Sequence, residues 1–314
     1  MRALTGITIC AATVLLMATG GCAKQRITWD LNGRLMSLKL NSPFPLELKR
    51  IEPGTFTMGS TPEAGARFSI PEDEKPSHEV RIDRPYFIAV HETTNEHFRR
   101  FDPKHDSTAA LASLPEAMAA DAGLEDLNAD RNPVVGVSLA EAEAYCKWLS
   151  EECGLTVRLP TEAEWEFACR GGSDSAYCWG DARAESTKFA NLAEAGTAEK
   201  LGGVEDPAPR DDGKRLTARV ASFQANANGL YDMHGNVAEW CEDVYSANYN
   251  NAAPDGSANQ TGSDNELHVV RGGSWASGMD HARSAARDAL PASTEDAMTG
   301  FRIVVEMPDS VEEE

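Results

Sequence analysis

The strongest constraint on the fold is a helix whose two ends are both encoded in the sequence. Ser138 and Glu141 have the spacing of a capping box, in which each side chain bonds the backbone N–H group of the other residue. Gly154 is suited to the left-handed conformation that ends many helices. Between these points, apolar residues recur on one face, as in an amphipathic helix: Leu139, Ala142, Cys146 and Leu149. The sequence therefore predicts a helix between Ser138 and Gly154.

A second helix is predicted directly downstream. Thr161 and Glu164 repeat the capping box just after Pro160, and Gly171-Gly172 provide the stop signal. Elsewhere the chain has only short apolar stretches, and residues 173–228 show little regular periodicity. Four of these stretches indicate strands: 80–83, 86–90, 269–270 and 301–305. The pattern predicts an α+β domain with low regular secondary structure.

The N-terminus has the pattern of an export signal. Arg2 provides a positive charge, and the apolar run at 7–18 is too short to cross a bilayer as a stable helix. Small residues and then Cys22 follow, which resembles a lipobox, although Thr19 stands where leucine is usual. We expect residues 1–22 to be a lipoprotein signal peptide with Cys22 lipidated, and ordinary secretion is the alternative. The mature chain is then expected on the periplasmic or extracellular face of the cell envelope.

The acidic balance of the chain narrows the partners it can have. Against 29 Lys and Arg stand 50 Asp and Glu, a net charge of −21. This argues against a nucleic-acid partner, because no basic patch is available to neutralise phosphates. It suits divalent cations or basic partners, although solubility alone also explains an acidic surface.

Five cysteines remain after residues 1–22. Their spacing matches no zinc motif. In an oxidising compartment, one or two disulfides can form among them and at least one thiol is left over. We interpret them as disulfide or core residues: Cys146, Cys153, Cys169, Cys178 and Cys241.

Four sequence blocks between residues 48 and 306 carry recognisable motifs. From the N-terminus they are Pro53-Gly-Thr-Phe-Thr-Met-Gly-Ser60, Arg158-Leu-Pro-Thr-Glu-Ala-Glu-Trp-Glu166, Gly229-Leu-Tyr-Asp-Met-His-Gly-Asn-Val-Ala-Glu-Trp240 and Val270-Arg-Gly-Gly-Ser-Trp275. In this order they resemble the formylglycine-generating enzyme (sulfatase-modifying factor) family. The resemblance implies a variant of the C-type lectin fold, which agrees with the α+β pattern. It places a sulfatase-modifying factor-like domain at 47–306, with 23–46 as a tether and 307–314 as an acidic tail.

Two carboxylates flank a tight turn in the third block. Asp232 and Glu239 are hard oxygen ligands of the kind that Ca²⁺ requires, and Gly235 permits unusual backbone angles between them. The spacing alone favours a turn followed by a helix that Asp232 caps. The resemblance implies a structural calcium site here, formed by the Asp232 and Glu239 side chains and the Gly235 and Val237 carbonyls.

A second calcium site is also implied by the resemblance. Its ligands would be the Asn191 side chain, the Leu192 carbonyl, the Asp212 side chain and the Lys214 carbonyl. The neighbouring Asp211 leaves the register open by one residue. Both sites would stabilise loops that cannot bury enough apolar surface by themselves.

The loop after the fourth block departs from the catalytic members of the family. In those members, the resemblance implies two cysteines that bind Cu(I) and support the O₂-dependent oxidation of a substrate cysteine to formylglycine. Thiolates are the soft ligands that Cu(I) prefers. Here Ser277 and Ala282 occupy the two positions, the loop is shorter, and no cysteine follows Cys241. We therefore expect no copper and no formylglycine synthesis.

The favoured hypothesis is a non-catalytic module of the cell envelope that binds a protein, peptide or glycan. Its ligand groove is expected around Trp275, Ser277, Arg283 and Arg287, where two arginines would pair with a carboxylate or sulfate. For Arg287, a buried structural role is the alternative. The competing hypothesis is an enzyme, either an unusual formylglycine-generating (sulfatase-activating) oxidoreductase or a related oxidase, and it depends on analogy of fold.

Overall fold

A computed structural model of the chain describes residues 26–30, 32–61, 70–121, 127–261 and 267–307. The predicted signal peptide, its Cys22 and the tail beyond Met307 lie outside these residues. No helix within them is long and apolar enough to cross a membrane.

The two longest helices begin and end where the sequence predicts. In the second, Thr161 Oγ1 accepts a bond from the Glu164 N–H at 3.1 Å, and the Glu164 carboxylate accepts one from the Thr161 N–H at 2.9 Å. Both helices end at a glycine with positive φ, 71° at Gly154 and 55° at Gly171. The helices of the described residues are α1 (Asn95–Phe98), α2 (Glu116–Asp121), α3 (Leu139–Cys153), α4 (Glu162–Arg170), α5 (Ser186–Phe189) and α6 (Ala195–Lys200).

The strands form a six-stranded sheet in the order β1-β2-β3-β6-β12-β7, a four-stranded sheet in the order β10-β9-β8-β11, and a β4-β5 hairpin. All four predicted strands are present, although the last begins at residue 304 rather than 301. The bounds are β1 (Arg26–Trp29), β2 (Leu35–Lys39), β3 (Leu46–Ile51), β4 (Gly54–Met58), β5 (His78–Ile82), β6 (Tyr86–Ala89), β7 (Val157–Arg158), β8 (Ala238–Val244), β9 (Leu267–Arg271), β10 (Arg287–Pro291), β11 (Thr299–Gly300) and β12 (Val304–Glu306).

The predicted tether at 23–46 is wrong for its described part. Strand β1 pairs antiparallel with β2, and β2 pairs with β3, so residues from Arg26 onward belong to the large sheet. Leu38 and Leu40 are buried in the main core. The alternation of apolar and polar residues from Met36 to Leu40, typical of a half-buried strand, was the available sequence signal.

The main core lies between the large sheet and α3. The predicted apolar face of α3 is buried there, packed with Leu48, Phe87, Trp240 and Phe301. A second core forms around Trp165 on α4 and extends to Val269 on β9. Each fully buried large apolar side chain contributes roughly 1.5–3 kcal/mol. The two cores hold the three sheets and the two long helices in one arrangement, and the irregular loops lie on this frame.

Charged side chains are buried where the frame meets the loops. The Arg271 guanidinium is fully buried, pairs with the Glu166 carboxylate, and donates to the Ala286 carbonyl. Arg170 shares Glu166 at 2.7 Å. Through Glu166, α4 is joined to β9 and to the chain that follows it.

Replacing Arg271 with methionine is expected to destabilise the fold by about 3–5 kcal/mol, because the Ala286 carbonyl loses its donor and Glu166 loses one of its two cations. Urea unfolding of the purified chain measures this change. Arg81→Met is the matched control: Arg81 is exposed, its partner is Asp83, and its loss should leave the unfolding midpoint unchanged. An equal loss in both variants would contradict the assignment.

Candidate functional site

The loop that follows β9 brings together Ser277 and Ala282, the two positions at which cysteines are expected in catalytic members of the family. Gly272 and Gly273 have φ of 94° and 67°, so the chain turns sharply after Arg271. A Cβ placed on Gly273 would lie 3.2 Å from Ser277 Cβ and 3.3 Å from Ala282 Cα. Ser277 and Ala282 therefore both lie next to Gly273, as two ligands of one metal would both lie next to a common centre.

A cavity of about 170 Å³ opens beside this loop. Ser277 and Ser274 lie in its wall, and the Ser277 Oγ accepts a bond from the Ser274 N–H at 3.0 Å. Strand β10 and the chain before β11 form the other sides, with Asp288 and Asp296 among their lining residues. The cavity is the candidate binding site of this face.

Two of the four residues predicted to form the ligand groove do not line this cavity. Trp275 is 1 % exposed, and its indole N–H donates to the Ala297 carbonyl at 2.8 Å. Arg283 is 4 % exposed and binds both oxygens of Glu74, at 2.8 and 2.7 Å. Both therefore have structural roles, which corrects the predicted groove.

Arg287 lines the cavity, but its charge is directed elsewhere. Its Nε and Nη2 bind the two oxygens of Glu162 at 2.6 and 2.8 Å, and Nη1 donates to the carbonyls of Asp73 and Ser246 at 2.8 Å. The ring of Tyr249 covers the guanidinium at 4.3 Å. The structural alternative for Arg287 is thus correct, and the predicted carboxylate- or sulfate-binding arginine pair is not formed.

The His234 side chain fixes the loop after β9 through hydrogen bonds, a role that was not predicted from the sequence. Its Nδ1–H donates to the Ala282 carbonyl at 2.7 Å, and its Nε2 accepts the Cys178 N–H at 3.1 Å. Burial lowers the pKa of His234 to about 4, which keeps the ring neutral. The Cys169 Sγ lies 3.6 Å from Nε2. The position of His234 within the third block was the only sequence signal.

The five cysteines of the described residues are free thiols, so none of the disulfides considered from the sequence is present. None lies in the loop between β9 and β10. Burial raises the pKa of Cys169, and it raises the pKa of Cys178 to about 12, so both thiols nearest the loop stay protonated.

At the first implied calcium site, one carboxylate keeps an unpartnered oxygen and the other carboxylate is fully paired: Asp232 Oδ2 accepts the Ala221 N–H at 2.7 Å. The Asp232 Oδ1 is buried and has no hydrogen-bond partner among the described residues, and burial raises the pKa of Asp232 to about 6. Both Glu239 oxygens are instead bound by Arg302 at 2.6 Å, and Trp165 donates to one of them at 2.7 Å. Asp232 suits a cation, but Glu239 is already neutralised.

The Gly235–Val237 turn is tied to its surroundings. Gly235 has φ of 75°, and its N–H donates to the Gly272 carbonyl at 2.8 Å, which links the turn to the loop after β9. The Val237 N–H lies 3.3 Å from the buried carboxylate of Glu92. Burial, together with Asp232 and Glu239, raises the pKa of Glu92. The turn therefore holds three carboxylates around the single positive charge of Arg302.

At the second implied site, Asp212 contacts both of the segments that were predicted to supply ligands. The Asp212 carboxylate accepts the Leu192 N–H at 3.0 Å and the Lys214 N–H at 2.8 Å, so the two segments meet through it. Burial raises the pKa of Asp212 to about 6. Asp211 is exposed and bonds only within its own turn, to the Gly213 N–H at 2.7 Å. Asp212 is therefore the residue that faces Leu192.

The Asn191 amide is fixed beside Asp212. It donates to the Leu216 carbonyl at 2.9 Å and to the Asn236 Oδ1 at 3.0 Å, and the Asn191 carbonyl accepts the Asn236 N–H. This links the two implied calcium sites through one backbone turn. Within the described ranges, no group of three or more His, Cys, Asp or Glu side chains is arranged to hold a metal, so carbonyl oxygens would have to complete either site.

A larger surface groove of about 1130 Å³ crosses the region around Arg158 and the start of α4. It was not predicted from the sequence. Its principal cation, Arg158, is already bound to Glu164 at 2.7 Å and to Glu306 at 3.0 Å. The charge of Arg158 is therefore already paired, and the groove shares no lining residue with the cavity beside Ser277.

Comparison with known proteins agrees with this architecture. The sulfatase-modifying factor enzyme 1-like domain model matches residues 45–307. The formylglycine-generating enzyme of Streptomyces coelicolor is 31% identical over 291 residues, which cover 81% of this chain and 87% of that enzyme. Serine/threonine-protein kinase pkn1 of Chlamydia caviae is 32% identical over 272 residues, but the match spans only 38% of that protein's length.

Among solved structures, PvdO from Pseudomonas aeruginosa is similar, with a TM-score of 0.64 and 27% identity over 85% of this chain and 97% of that one. The mixed helices and strands confirm the predicted α+β fold of the formylglycine-generating enzyme type, which is a C-type lectin-like fold. The chain belongs to the sulfatase-modifying factor family.

Proposed function

We propose that this chain is a non-catalytic sulfatase-modifying factor-like module of the cell envelope, which binds a partner at the cavity beside Ser277. The observation that carries the proposal is the pair Ser277 and Ala282, which meet at Gly273 where the catalytic members are expected to hold copper. A hydroxyl and a methyl group cannot replace two thiolates toward Cu(I). The binding frame of the family is kept, and its metal ligands are not.

The arrangement around the loop supports a binding role further. Its glycine turn, the His234 bond to the Ala282 carbonyl and the Ser274–Ser277 bond hold the loop in one conformation. A preformed cavity lowers the entropic cost of binding a partner. Protein, peptide and glycan partners all suit a surface cavity of this kind, and nucleic acid does not suit a chain of net charge −21.

A second candidate function is enzymatic, as a formylglycine-generating (sulfatase-activating) oxidoreductase or a related oxidase. The similarity to the Streptomyces coelicolor enzyme, which extends over 87% of that protein, favours it. The kinase activity named for pkn1 carries no weight, because the match spans 38% of that protein. The missing ligand pair makes the enzyme the weaker proposal.

Incubation of the purified chain with Cu(I), O₂ and a peptide containing Cys-x-Pro-x-Arg is expected to give no formylglycine, measured by mass spectrometry. The physical reason is the absence of thiolates at positions 277 and 282. The Streptomyces coelicolor enzyme serves as the positive control. Turnover by this chain would overturn the proposal in favour of the second candidate.

A matched pair of variants tests the geometry behind this expectation. Ser277→Cys combined with Ala282→Cys is expected to bind Cu(I) at least about tenfold more tightly than Ser277→Cys alone, because two thiolates then meet at Gly273. Competition with a chromophoric Cu(I) chelator measures the affinities. Equal affinities in the two variants would show that the two positions do not form one site.

We propose structural calcium at the Asn191–Asp212 site, because Asp212 joins the two segments and its carboxylate is largely buried. When bound, calcium would neutralise this carboxylate and fix the loop. CaCl₂ is expected to raise the melting temperature of the chain, and Asp212→Ala should abolish the shift. Asp211→Ala is the matched control and should keep it. Loss of the shift in both variants, or in neither, contradicts the assignment; Asp232→Ala tests the first site in the same way.

We also propose that Cys22 carries a lipid that anchors the chain in the envelope membrane. The apolar run at 7–18 followed by small residues and Cys22 supports this. In a bacterial host, the wild-type chain is expected in the membrane fraction and should incorporate an alkynyl fatty acid. Cys22→Ala should remove the label and retain the signal sequence uncleaved. Labelling that persists in Cys22→Ala would refute the anchor.

A further inference from the structure

We propose that the cavity beside Ser277 receives a lysine or arginine side chain of a peptide or protein partner. The inference rests on the proposed binding function and names the chemistry of its ligand. It reverses the anion-binding groove that the sequence suggested, because both arginines of that groove are paired with glutamates inside the fold.

The charge balance of the cavity is the first argument. Its ionisable lining residues are Asp288, Asp296, His281 and Arg287. The Arg287 guanidinium is paired with Glu162, to which it donates two hydrogen bonds. Two carboxylates therefore remain without a cation within 4 Å among the described residues. A cationic side chain would balance them, and an anionic one would be repelled.

The two carboxylates are also held in fixed positions. Asp288 Oδ1 accepts the Ala289 N–H at 2.8 Å, and Asp296 Oδ1 accepts the Met298 N–H at 2.9 Å. Within the described part of the chain, no donor is bonded to the second oxygen of either group. Each aspartate is thus oriented by its own backbone and keeps one oxygen for a ligand, so binding does not have to order it.

Size and polarity fit the same ligand. A cavity of about 170 Å³ admits a side chain rather than a folded domain. Apolar groups from Val270, Leu290 and Met298 contribute to the wall together with the aspartates. Lysine and arginine combine an apolar stem with a charged end, and they bury the stem while the charge meets a polar rim. An acidic sugar would be repelled by the two carboxylates, and a neutral sugar would donate hydrogen bonds to them without balancing their charge.

The neighbouring strand edge argues for insertion of a side chain rather than addition of a strand. Strand β10 is at the edge of its sheet. However, the Ala289 N–H is already bonded to Asp288, and Pro291 has no N–H to offer. Such edges resist pairing with an added strand. The partner therefore contacts this face mainly through the side chain that enters the cavity.

The test uses acetylated and amidated pentapeptides, Ala-Ala-X-Ala-Ala, in which X is Lys, Arg, Gln, Leu or Glu. Binding to the purified chain is measured by biolayer interferometry. The Lys and Arg peptides are expected to bind at least about fivefold more tightly than the Gln peptide, and the difference should shrink as salt is added.

Asp288→Asn and Asp296→Asn are the decisive variants, because asparagine keeps the backbone bond and removes only the charge. In each variant, the affinity for the Lys and Arg peptides is expected to fall to that for the Gln peptide. Glu79→Gln is the matched control, since Glu79 is exposed on β5 and does not line the cavity. Circular dichroism shows whether each variant is folded, and Asp288 is exposed enough for its variant to fold normally.

The inference is overturned by equal affinity for the Lys and Gln peptides, by no detectable binding of the Lys peptide, or by an unchanged preference in Asp288→Asn. If neutral peptides bind and their affinity is the same in the wild type and in Asp288→Asn, the inference is overturned and the proposed binding function stands. Formation of formylglycine in the copper assay would instead overturn the proposed function itself. The two failures are therefore distinguishable.

Discussion

Buried arginine–glutamate pairs are the interaction on which the loop-rich part of this fold depends. Loops cannot bury enough apolar surface to fix their own conformation, and a buried charge without a partner is strongly unfavourable. Only the arrangement that brings each arginine to its glutamate avoids that cost, so the pairs select one conformation rather than adding much stability. Among the described residues, four buried arginines are paired in this way with glutamates of distant segments: Arg271 with Glu166, Arg283 with Glu74, Arg287 with Glu162, and Arg302 with Glu239.

These pairs also decide the character of the candidate site. Arg283 and Arg287 follow Ser277 in the chain, and the sequence suggested that they bind an anion. Since both guanidiniums turn inward to glutamates, the face they leave is acidic, with Asp288 and Asp296 at the cavity. The same contacts that stabilise the fold thus reverse the charge that a ligand meets.

Local signals predicted the regular elements well. The capping boxes at Ser138 and Thr161 and the glycines after each helix act through bonds within a few residues, so they can be recognised without knowledge of the fold. Strands β1 and β2 were assigned to a tether although they pair with each other and with β3, their neighbours in sequence, because each is short and only the completed sheet buries them. The supporting role of His234 was missed because the carbonyl it binds is that of Ala282, in a distant segment.

The sequence by itself determined the family, the ends of α3 and α4, and the absence of thiol side chains at positions 277 and 282. Those properties depend on residue identity and on neighbours within one or two turns. The tertiary structure decided which of Asp211 and Asp212 faces Leu192, and where the arginines direct their charge. Glu74 and Arg283 are 209 residues apart, and no local pattern encodes a pairing over that distance. Burial makes such pairings obligatory, so only the folded chain reveals them.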